Sequence, residues 1–246
     1  MARGTSRFLS RAAGITLAAG MIAAGLAAPA LADPTAPGQP TSPAVDQHSC
    51  GAQPLLVGLN SAGSLSVVPD GADQVTTEFD WWPVDRSDQR GTAQTSGVGG
   101  TVAAVTVGNT GLSDGTTYAW QARSSDGAET GPWSDVCEFT TDFTAPGKPA
   151  VSSPDYPPTG GTGRIGKPGR FTFSANGSTD VVGFRYGPNR PGAFVPASDG
   201  AVTVWITPTT FGIDQVVVTS VDAAGNISGV TTYRYYVPED GVTSAK

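Results

Sequence analysis

The stretch Leu112-Ser-Asp-Gly-Thr116-Thr-Tyr118-Ala-Trp120 indicates how the rest of the chain folds. Its turn signal, Ser113-Asp-Gly115, has a mechanism, because Ser and Asp bond their own backbone and Gly accepts unusual φ angles. The residues that follow alternate, as in a half-buried β-strand, and one face carries Tyr118, Trp120 and Ala122. We therefore predict a tight turn that leads directly into a strand.

The same stretch also matches a catalytic pattern. Gly111-Leu-Ser-Asp-Gly115 fits the Gly-x-Ser-x-Gly elbow of serine hydrolases. Such an elbow needs a strand before it, a helix after it and a histidine downstream. Here a strand follows, and the only histidine, His48, lies upstream. We predict no catalytic residue and no enzyme, and a hydrolase acting through Ser113 is a remote alternative.

Residues 1–32 have the pattern of a secretory signal peptide. Three arginines precede an uncharged run over residues 12–31 that is rich in Ala, Gly and Leu, and Ala30-Leu-Ala32 supplies a small-x-small cleavage site. An uncleaved anchor helix is the alternative interpretation of this run. No second apolar run of membrane length follows. We therefore expect a secreted, extracellular protein that is cleaved after Ala32 and does not insert into a membrane.

The charge of the chain excludes several classes of partner. Cleavage leaves 214 of 246 residues and removes three arginines but no acid, so 11 basic residues oppose 21 acidic ones and the net charge is −10. Nucleic acids and anionic surfaces require positive charge on their partners, so neither is expected to bind. Charged residues form 14% of the chain, below the roughly 25% of average proteins. This composition is common in exported all-β modules.

The two cysteines, Cys50 and Cys137, are expected to pair. An extracellular protein occupies an oxidising compartment, where pairing is the usual outcome. Two free thiols are the alternative, but neither cysteine is directly preceded or followed in sequence by a His, Lys or Arg that would lower its pKa.

Short strands separated by turns predict an all-β fold. Residues 33–47 contain four prolines and are interpreted as a disordered Pro-rich tether. A β-sandwich is predicted over 48–143, from strands at 54–59, 64–68, 75–82, 91–96, 101–107, 116–124 and 134–140. A short hinge follows, Thr144-Ala-Pro-Gly-Lys-Pro149, and semi-rigid tandem packing is expected across it. A second β-sandwich is predicted over 144–240, before a tail at 241–246. Its strands are expected at 148–152, 170–174, 181–186, 202–207, 215–221 and 231–237.

The spacing of Leu112, Thr116 and Tyr118 resembles that of fibronectin type III domains. The resemblance implies a structural corner, in which Tyr118 hydrogen-bonds back to the backbone between two strands. Two positions depart from the family pattern: Asp114 replaces the usual proline, and strand 64–68 lacks the usual tryptophan. The first unit is therefore a divergent member of this family or a neighbour within the immunoglobulin-like class.

Most of the mature chain resembles a class of secreted proteins from high-GC Gram-positive bacteria. The first unit carries Glu78-Phe-Asp-Trp-Trp82 and Pro132-Trp-Ser-Asp-Val-Cys137, and the second carries Gly169-Arg-Phe-Thr-Phe173 and Ser220-Val-Asp-Ala-Ala-Gly-Asn226. In that class such tandem modules often precede a laminin-G-like (concanavalin A-like) domain. The printed sequence ends where that domain would begin, so a sugar-binding role of that domain is not carried over.

Two tryptophans are candidate residues for stacking on a ligand. Trp82 lies on the polar face of strand 75–82, and Trp205 alternates with apolar residues in strand 202–207. An exposed indole can stack on a sugar ring. Burial in an inter-domain contact or under a loop is the alternative, because Trp is highly buried on average.

No metal and no cofactor are expected. No Cys/His cluster has zinc spacing, and Asp70-Gly-Ala-Asp73 and the segment 222–226 match a calcium loop only in part. Turn-forming Asp is the simpler interpretation of both segments, and calcium binding stays open.

These observations favour an exported, non-catalytic β-sandwich protein that acts as an extracellular spacer or as a protein or surface interaction module. The alternative is a carbohydrate or cell-wall binding module that relies on Trp82 and Trp205. The expected partners are a polysaccharide or a cell-surface protein, and the chain is expected to be a monomer.

Overall fold

The computed structural model describes residues 36–239 except 72, 109 and 161. The predicted signal peptide and the predicted tail lie outside these residues. The described part of the chain forms sixteen strands and no helix, and accordingly contains no helix with the length and hydrophobicity to cross a bilayer. The described part of the chain is all-β, as predicted.

The first sandwich contains nine strands in two sheets. The strands are β1 (Thr41–Val45), β2 (His48–Ser49), β3 (Leu55–Gly58), β4 (Ser64–Val68), β5 (Gln74–Pro83), β6 (Gly91–Val98), β7 (Ala103–Thr106), β8 (Thr117–Ser125) and β9 (Cys137–Asp142). One sheet has the order β2-β1-β4-β7 and the other the order β3-β9-β8-β5-β6. All pairings are antiparallel except that of β3 with β9, which is parallel.

The second sandwich contains seven strands, again in two sheets. The strands are β10 (Ala150–Ser152), β11 (Gly169–Ser174), β12 (Val181–Gly187), β13 (Ala193–Pro196), β14 (Ala201–Ile206), β15 (Gly212–Asp222) and β16 (Thr231–Val237). The sheets have the orders β10-β11-β14 and β13-β12-β15-β16, and every pairing is antiparallel.

Each sandwich has its own hydrophobic core. The first core surrounds Trp120 and Phe79, both 0% exposed, and includes Tyr118 from the turn-and-strand stretch. The second core is rich in aromatic rings, with Tyr156, Phe171 and other large side chains fully buried. Alternation explains this burial, because successive side chains of a strand point to opposite sheet faces.

The prediction of a disordered tether through residue 47 is wrong at its C-terminal end. Residues 41–45 form β1, which pairs with β2 and β4, and Val45 is buried in the first core. Pro43 lies where the register with β4 shifts, a position at which a strand tolerates proline. Asp46 then fixes the turn, because its carboxylate accepts the Ser64 amide at 2.9 Å. The prolines concealed this strand from periodicity arguments.

Two further strands, β2 and β13, were not predicted. Strand β13 follows Pro191-Gly192 and ends at Pro196, and most of its side chains are exposed. Strand β2 has two residues. Neither segment is long enough or buried enough to give a period-two signal.

Candidate functional site

The predicted corner residues come together at the start of β8. The Ser113 amide donates to the Tyr118 hydroxyl at 2.9 Å, and Leu112 packs against the first core. The Thr116 amide donates to Thr141 Oγ1 at 3.1 Å. These bonds join the turn to both β8 and β9, so the stretch forms a corner between strands.

Asp114, the departure from the family pattern, connects this corner to the linker. Its Oδ1 accepts the Phe143 amide at 2.6 Å and the Gly115 amide at 2.9 Å, and its Oδ2 accepts the Thr144 hydroxyl at 2.7 Å. The bond from Phe143, followed by that from Thr144, lowers the pKa of Asp114 below its ordinary value. The carboxylate therefore anchors the first residues after β9.

The surroundings of Ser113 do not form a nucleophile site. A cavity of about 380 Å³ adjoins the corner and is lined by Ser113, Tyr118 and Arg90 among others. None of the described residues that line it is a histidine or a carboxylic acid. His48 lies in β2, paired with Val45. Serine hydrolysis needs a base in contact with the hydroxyl, and the described lining residues do not include a histidine or carboxylate that could act as one.

The best-defined polar cluster lies where the two sandwiches meet, and we call it the junction: Gly58, Leu59, Asp142, Asp222 and Asn226. Asn226 follows β15 and is 1% exposed. Its Oδ1 accepts the Leu59 amide at 2.6 Å. Its Nδ2 donates to the Asp142 main-chain oxygen at 2.8 Å and to Asp222 Oδ2 at 3.0 Å. One side chain of the second sandwich thus binds the ends of β3 and β9.

The turn after β15 presents Asn226 in a fixed orientation. Asp222, itself 1% exposed, accepts the Asn226 main-chain amide at 2.8 Å, and Gly225 takes a φ of +81°. On the opposite side, a β-carbon at Gly58 would collide with the Ala224 carbonyl oxygen and with Asn226 Oδ1. The close approach of the two backbones therefore requires glycine at this position.

The linker between the sandwiches is also bound. The Gly147 amide donates to Ser178 Oγ at 2.8 Å, and the Thr231 hydroxyl donates to the Pro149 oxygen at 2.7 Å. Together with the bonds of Asp114, these contacts hold the linker at both ends.

Three carboxylates converge beside the junction. Oxygens of Asp142, Asp180 and Asp222 lie within 4.8 Å of one another. Burial, with the like charges of Asp222 and Asp180, raises the pKa of Asp142 above its ordinary value. Both Asp222 oxygens already accept hydrogen bonds from Asn226. The turn itself accounts for this aspartate, and acidic groups alone do not identify a bound ion.

Trp82 lies half-buried on the outer face of β5, under a guanidinium group. Arg90 Cζ is 4.0 Å from the centroid of the Trp82 ring, and the same guanidinium forms an ion pair with Asp80. A cation stacked on an indole is a favourable contact. It also occupies one face of the ring that a sugar would use.

A second pair of the same kind was missed by sequence reasoning. Arg123 lies 4.3 Å from the Trp133 ring centroid and bonds Glu78 at 2.9 Å. Glu78 and Asp80 lie on the same face of β5. Each of these two acids forms an ion pair with an arginine that stacks on a tryptophan ring. The alternation of side chains along β5 places both acids on one face of the strand. It does not predict their arginine partners, because these lie in other segments of the chain.

Trp205 is placed differently. It lies in β14 opposite Arg170 of β11 and is 65% exposed. Arg170 is engaged with Asp155 at 3.2 Å. The ring of Trp205 is therefore open to solvent, unlike that of Trp82.

The two cysteines form a disulfide bond, with a Cα–Cα distance of 5.7 Å. Cys50 follows β2, and Cys137 is the first residue of β9. The bond joins the two sheets of the first sandwich.

Comparisons with known proteins agree with this geometry. No protein-family model matches the chain, and no curated protein matches it. Among solved structures, the chain is similar to the FN1–FN3 domains of chicken CNTN1, with 10% identity and a TM-score of 0.53, over 82% of this chain and 65% of that chain. It is also similar to the fibronectin(III)-like modules of Clostridium thermocellum CbhA, with 11% identity and a TM-score of 0.50, over 83% of this chain and 98% of that one.

The chain is a tandem of fibronectin type III-like, immunoglobulin-like β-sandwiches. At identities this low the likeness concerns the fold alone.

Proposed function

We propose that the chain is an exported, non-catalytic module that acts as a semi-rigid extracellular spacer or as a protein or surface interaction module. The observation that carries the proposal is the Asn226 side chain, which is buried between the sandwiches and hydrogen-bonded to Leu59 and Asp142 of the first and to Asp222 of the second. Free motion of one sandwich relative to the other would break these hydrogen bonds. Export is supported by the residue pattern of 1–32 and by the disulfide, which persists in oxidising compartments.

The junction favours one relative orientation of the sandwiches. A buried amide that loses its partners leaves polar groups unsatisfied, which costs about 1–3 kcal/mol. Sliding or bending at the junction would break the bonds of Asn226 to Leu59 and Asp142 together. A fixed distance between the two ends of the tandem is what a spacer requires.

Small-angle X-ray scattering and residual dipolar couplings of the mature chain test this proposal. Wild type is expected to fit one orientation of the sandwiches, and Asn226→Ala is expected to broaden the distribution. Asn189→Ala, in an exposed loop, is the matched control and should behave like wild type. A wild-type chain that already samples many orientations would contradict the spacer proposal. N-terminal sequencing of the secreted chain tests cleavage after Ala32.

The second candidate function, carbohydrate or cell-wall binding, is favoured by the exposure of Trp205. A glycan array and a cell-wall pull-down test it. If the candidate is right, Trp205→Ala should abolish the signal. Trp82→Ala should have a smaller effect, because Arg90 covers one face of that ring. Absence of binding to every polysaccharide tested would remove this candidate.

A further inference from the structure

Strand β6 is an unusually open edge of the five-stranded sheet. Its eight residues, Gly91-Thr-Ala-Gln-Thr-Ser-Gly-Val98, include no charge and no proline. It pairs with β5 over eight consecutive positions without a bulge. No strand among the described residues pairs with its other side. A long, regular edge of this kind is a ready template for another strand.

The other edge strands carry features that discourage pairing. Strands β2, β3, β7, β10 and β13 have two to four residues each, and β3 is also covered at its end by Asn226. Strand β16 carries the charge of Arg234. Only β14 is comparable, and it has six residues against eight. Short edges and charged edges are the usual protections, so β6 stands apart.

The ladder geometry shows which backbone groups of β6 face outward. The Gly99 amide donates to the Asp73 oxygen at 2.9 Å, which extends the β5–β6 register by one hydrogen-bonded pair. Hydrogen-bonded and non-bonded pairs alternate in antiparallel sheets. Ala93, Thr95 and Gly97 therefore direct their amide and carbonyl groups to β5. The groups of Thr92, Gln94, Ser96 and Val98 point away from the sheet, but the Val98 carbonyl already accepts the Thr101 amide at 3.2 Å and the Thr101 hydroxyl.

We propose that β6 is a homotypic docking edge: two copies of the chain pair antiparallel through β6 about a two-fold axis, with Gln94 opposite Gln94 of the second copy. This register aligns Thr92 with Ser96 of the second copy, Gln94 with Gln94, and Ser96 with Thr92. Thr92, Gln94 and Ser96 of each copy then all lie in hydrogen-bonded pairs. A shift by two residues in one direction leaves one of the three without a partner in β6. A shift in the other direction pairs Thr92 with Val98, whose carbonyl Thr101 already binds. The two five-stranded sheets become one continuous sheet of ten strands.

A second copy is the occupant that this edge fits because the edge is self-complementary. Thr92, Gln94 and Ser96 are placed symmetrically about the proposed axis at Gln94, as an isologous two-fold interface requires. The strand is uncharged, so two mature chains with a net charge of −10 each place no like charges opposite one another along it. The neighbouring cation, Arg90, is turned back onto Asp80 and Trp82.

The side chains of the facing strands are also compatible. Thr92, Gln94 and Ser96 are exposed, and hydroxyl and amide side chains pair well across strands. The Thr76 and Ser96 hydroxyls already form such a pair within the sheet, at 3.0 Å. One added strand pairing is a small interface, so the association is weak and reversible. This inference departs from the monomer expected from the sequence and does not depend on the junction.

Sedimentation of the mature chain over micromolar to millimolar concentrations is the first test, with a concentration-dependent dimer expected. Gln94→Pro removes an outward-facing amide while leaving the β5–β6 bonds in place, because an edge tolerates proline on its open side. It is expected to weaken dimerisation by about tenfold or more, which corresponds to about 1.4 kcal/mol. Gln94→Thr, a good strand former without charge, is the matched control and should dimerise like wild type.

A charge exchange tests the register without changing the backbone. Gln94→Lys alone and Gln94→Glu alone place like charges at the two-fold axis and should be monomers. An equimolar mixture of the two variants should recover the dimer, because unlike charges then meet. Thermal unfolding of each variant checks that the fold is retained.

Three results would overturn the proposal. The first is a wild-type chain that stays monomeric to millimolar concentration. The second is a dimer that Gln94→Pro leaves unchanged, which would place the contact on another surface. The third is a mixture of the Lys and Glu variants that behaves like either variant alone. Slower hydrogen exchange at the amides of Thr92, Gln94 and Ser96 on dimerisation would support it.

Discussion

The first sandwich packs its core around Trp120 and Phe79 and closes it with a disulfide, whereas the second sandwich contains no cysteine and packs a cluster of aromatic rings. The rings that contact one another in the second core are those of Tyr156, Phe171, Phe173, Phe184, Tyr186, Tyr233 and Tyr235. The two modules therefore reach a similar fold with different sources of stability. Reduction should affect one of them, and loss of a ring should affect the other.

A buried tyrosine fixes a loop in each sandwich. In the first, the Tyr118 hydroxyl accepts the Ser113 amide. In the second, the Tyr156 hydroxyl donates to the carbonyl oxygen of Arg164 at 2.8 Å and accepts the Arg164 amide at 3.2 Å. A phenol that spans a loop satisfies backbone groups which would otherwise be buried without partners. The difference lies in position: Tyr118 holds a tight corner, and Tyr156 holds a long loop between β10 and β11.

The largest effect is expected from Phe171→Ala in the second sandwich. Phe171 is 0% exposed, and its ring centroid lies 5.1 Å from that of Tyr235. Truncation of a buried Phe costs about 3–5 kcal/mol, a large part of the stability of a typical domain. Calorimetry should show one lowered transition.

Tryptophan fluorescence separates the two modules in this experiment, because four of the five tryptophans lie in the first sandwich. The fluorescence transition should move little. Phe211→Ala is the control, since Phe211 is 64% exposed and its truncation should cost little. A single transition that moves as a whole would show that the sandwiches unfold together.

The disulfide should show the opposite selectivity. Replacing both Cys50 and Cys137 by Ser opens a loop with a sequence separation of 87, and loss of such a bond costs about 2–4 kcal/mol. The fluorescence transition of the first sandwich should fall, and the calorimetric transition of the second should stay. Reducing agent added to wild type should reproduce the result, and added to the double variant it should have no effect.

Tyr118→Phe removes only the hydroxyl of the corner. The Ser113 amide loses its partner, and we expect a loss of about 1 kcal/mol from the first sandwich, measured by chemical denaturation. Tyr233→Phe is the counterpart in the second sandwich, where the hydroxyl donates to the Tyr156 oxygen at 3.0 Å. Each variant should lower only its own transition. An unchanged midpoint for Tyr118→Phe would contradict a stabilising role for the corner.

Local patterns explain how much of this structure the sequence could predict. The turn at Ser113-Asp-Gly115 and the alternation in β5 and β8 depend on neighbouring residues, and the fold class followed from many such segments. Strand β1 was missed because its pairing partners, β2 and β4, supply the reason for its extended backbone, while Pro40 and Pro43 suggested a tether.

The junction could not be predicted for a similar reason. The segment 222–226 was interpreted as turn-forming, and Asn226 does follow a turn. Its partner Leu59 is 167 residues away in sequence, so no local pattern connects the two. The arginines over Trp82 and Trp133 raise the same difficulty, because each reaches its tryptophan from another segment.

The smallest expected effect is on how stability changes with pH. It should differ between Asp142 at the junction and Asp126 on the surface of the first sandwich. Burial, with the charges of Asp222 and Asp180, raises the pKa of Asp142. The folded chain then binds more protons than the unfolded chain between the ordinary pKa and the raised one, so the contribution of Asp142 to stability falls as pH rises through that window. Asp142→Asn keeps the main-chain oxygen that Asn226 binds and removes the charge. It should stabilise the chain at neutral pH by less than about 1 kcal/mol, because solvent screens the charge.

Asp126 should behave in the opposite way. Hydrogen bonds from the Glu129 and Ala128 amides lower its pKa, so its contribution is present above the ordinary carboxyl pKa and is lost as pH falls through the lowered value. Asp126→Asn should therefore destabilise the first sandwich at neutral pH and leave it unaffected in strong acid. Unfolding midpoints of both variants and wild type between strong acid and neutrality measure the two slopes. If stability changed with pH in the same direction for both aspartates, the pKa of Asp142 would not be raised by burial and by its neighbouring carboxylates.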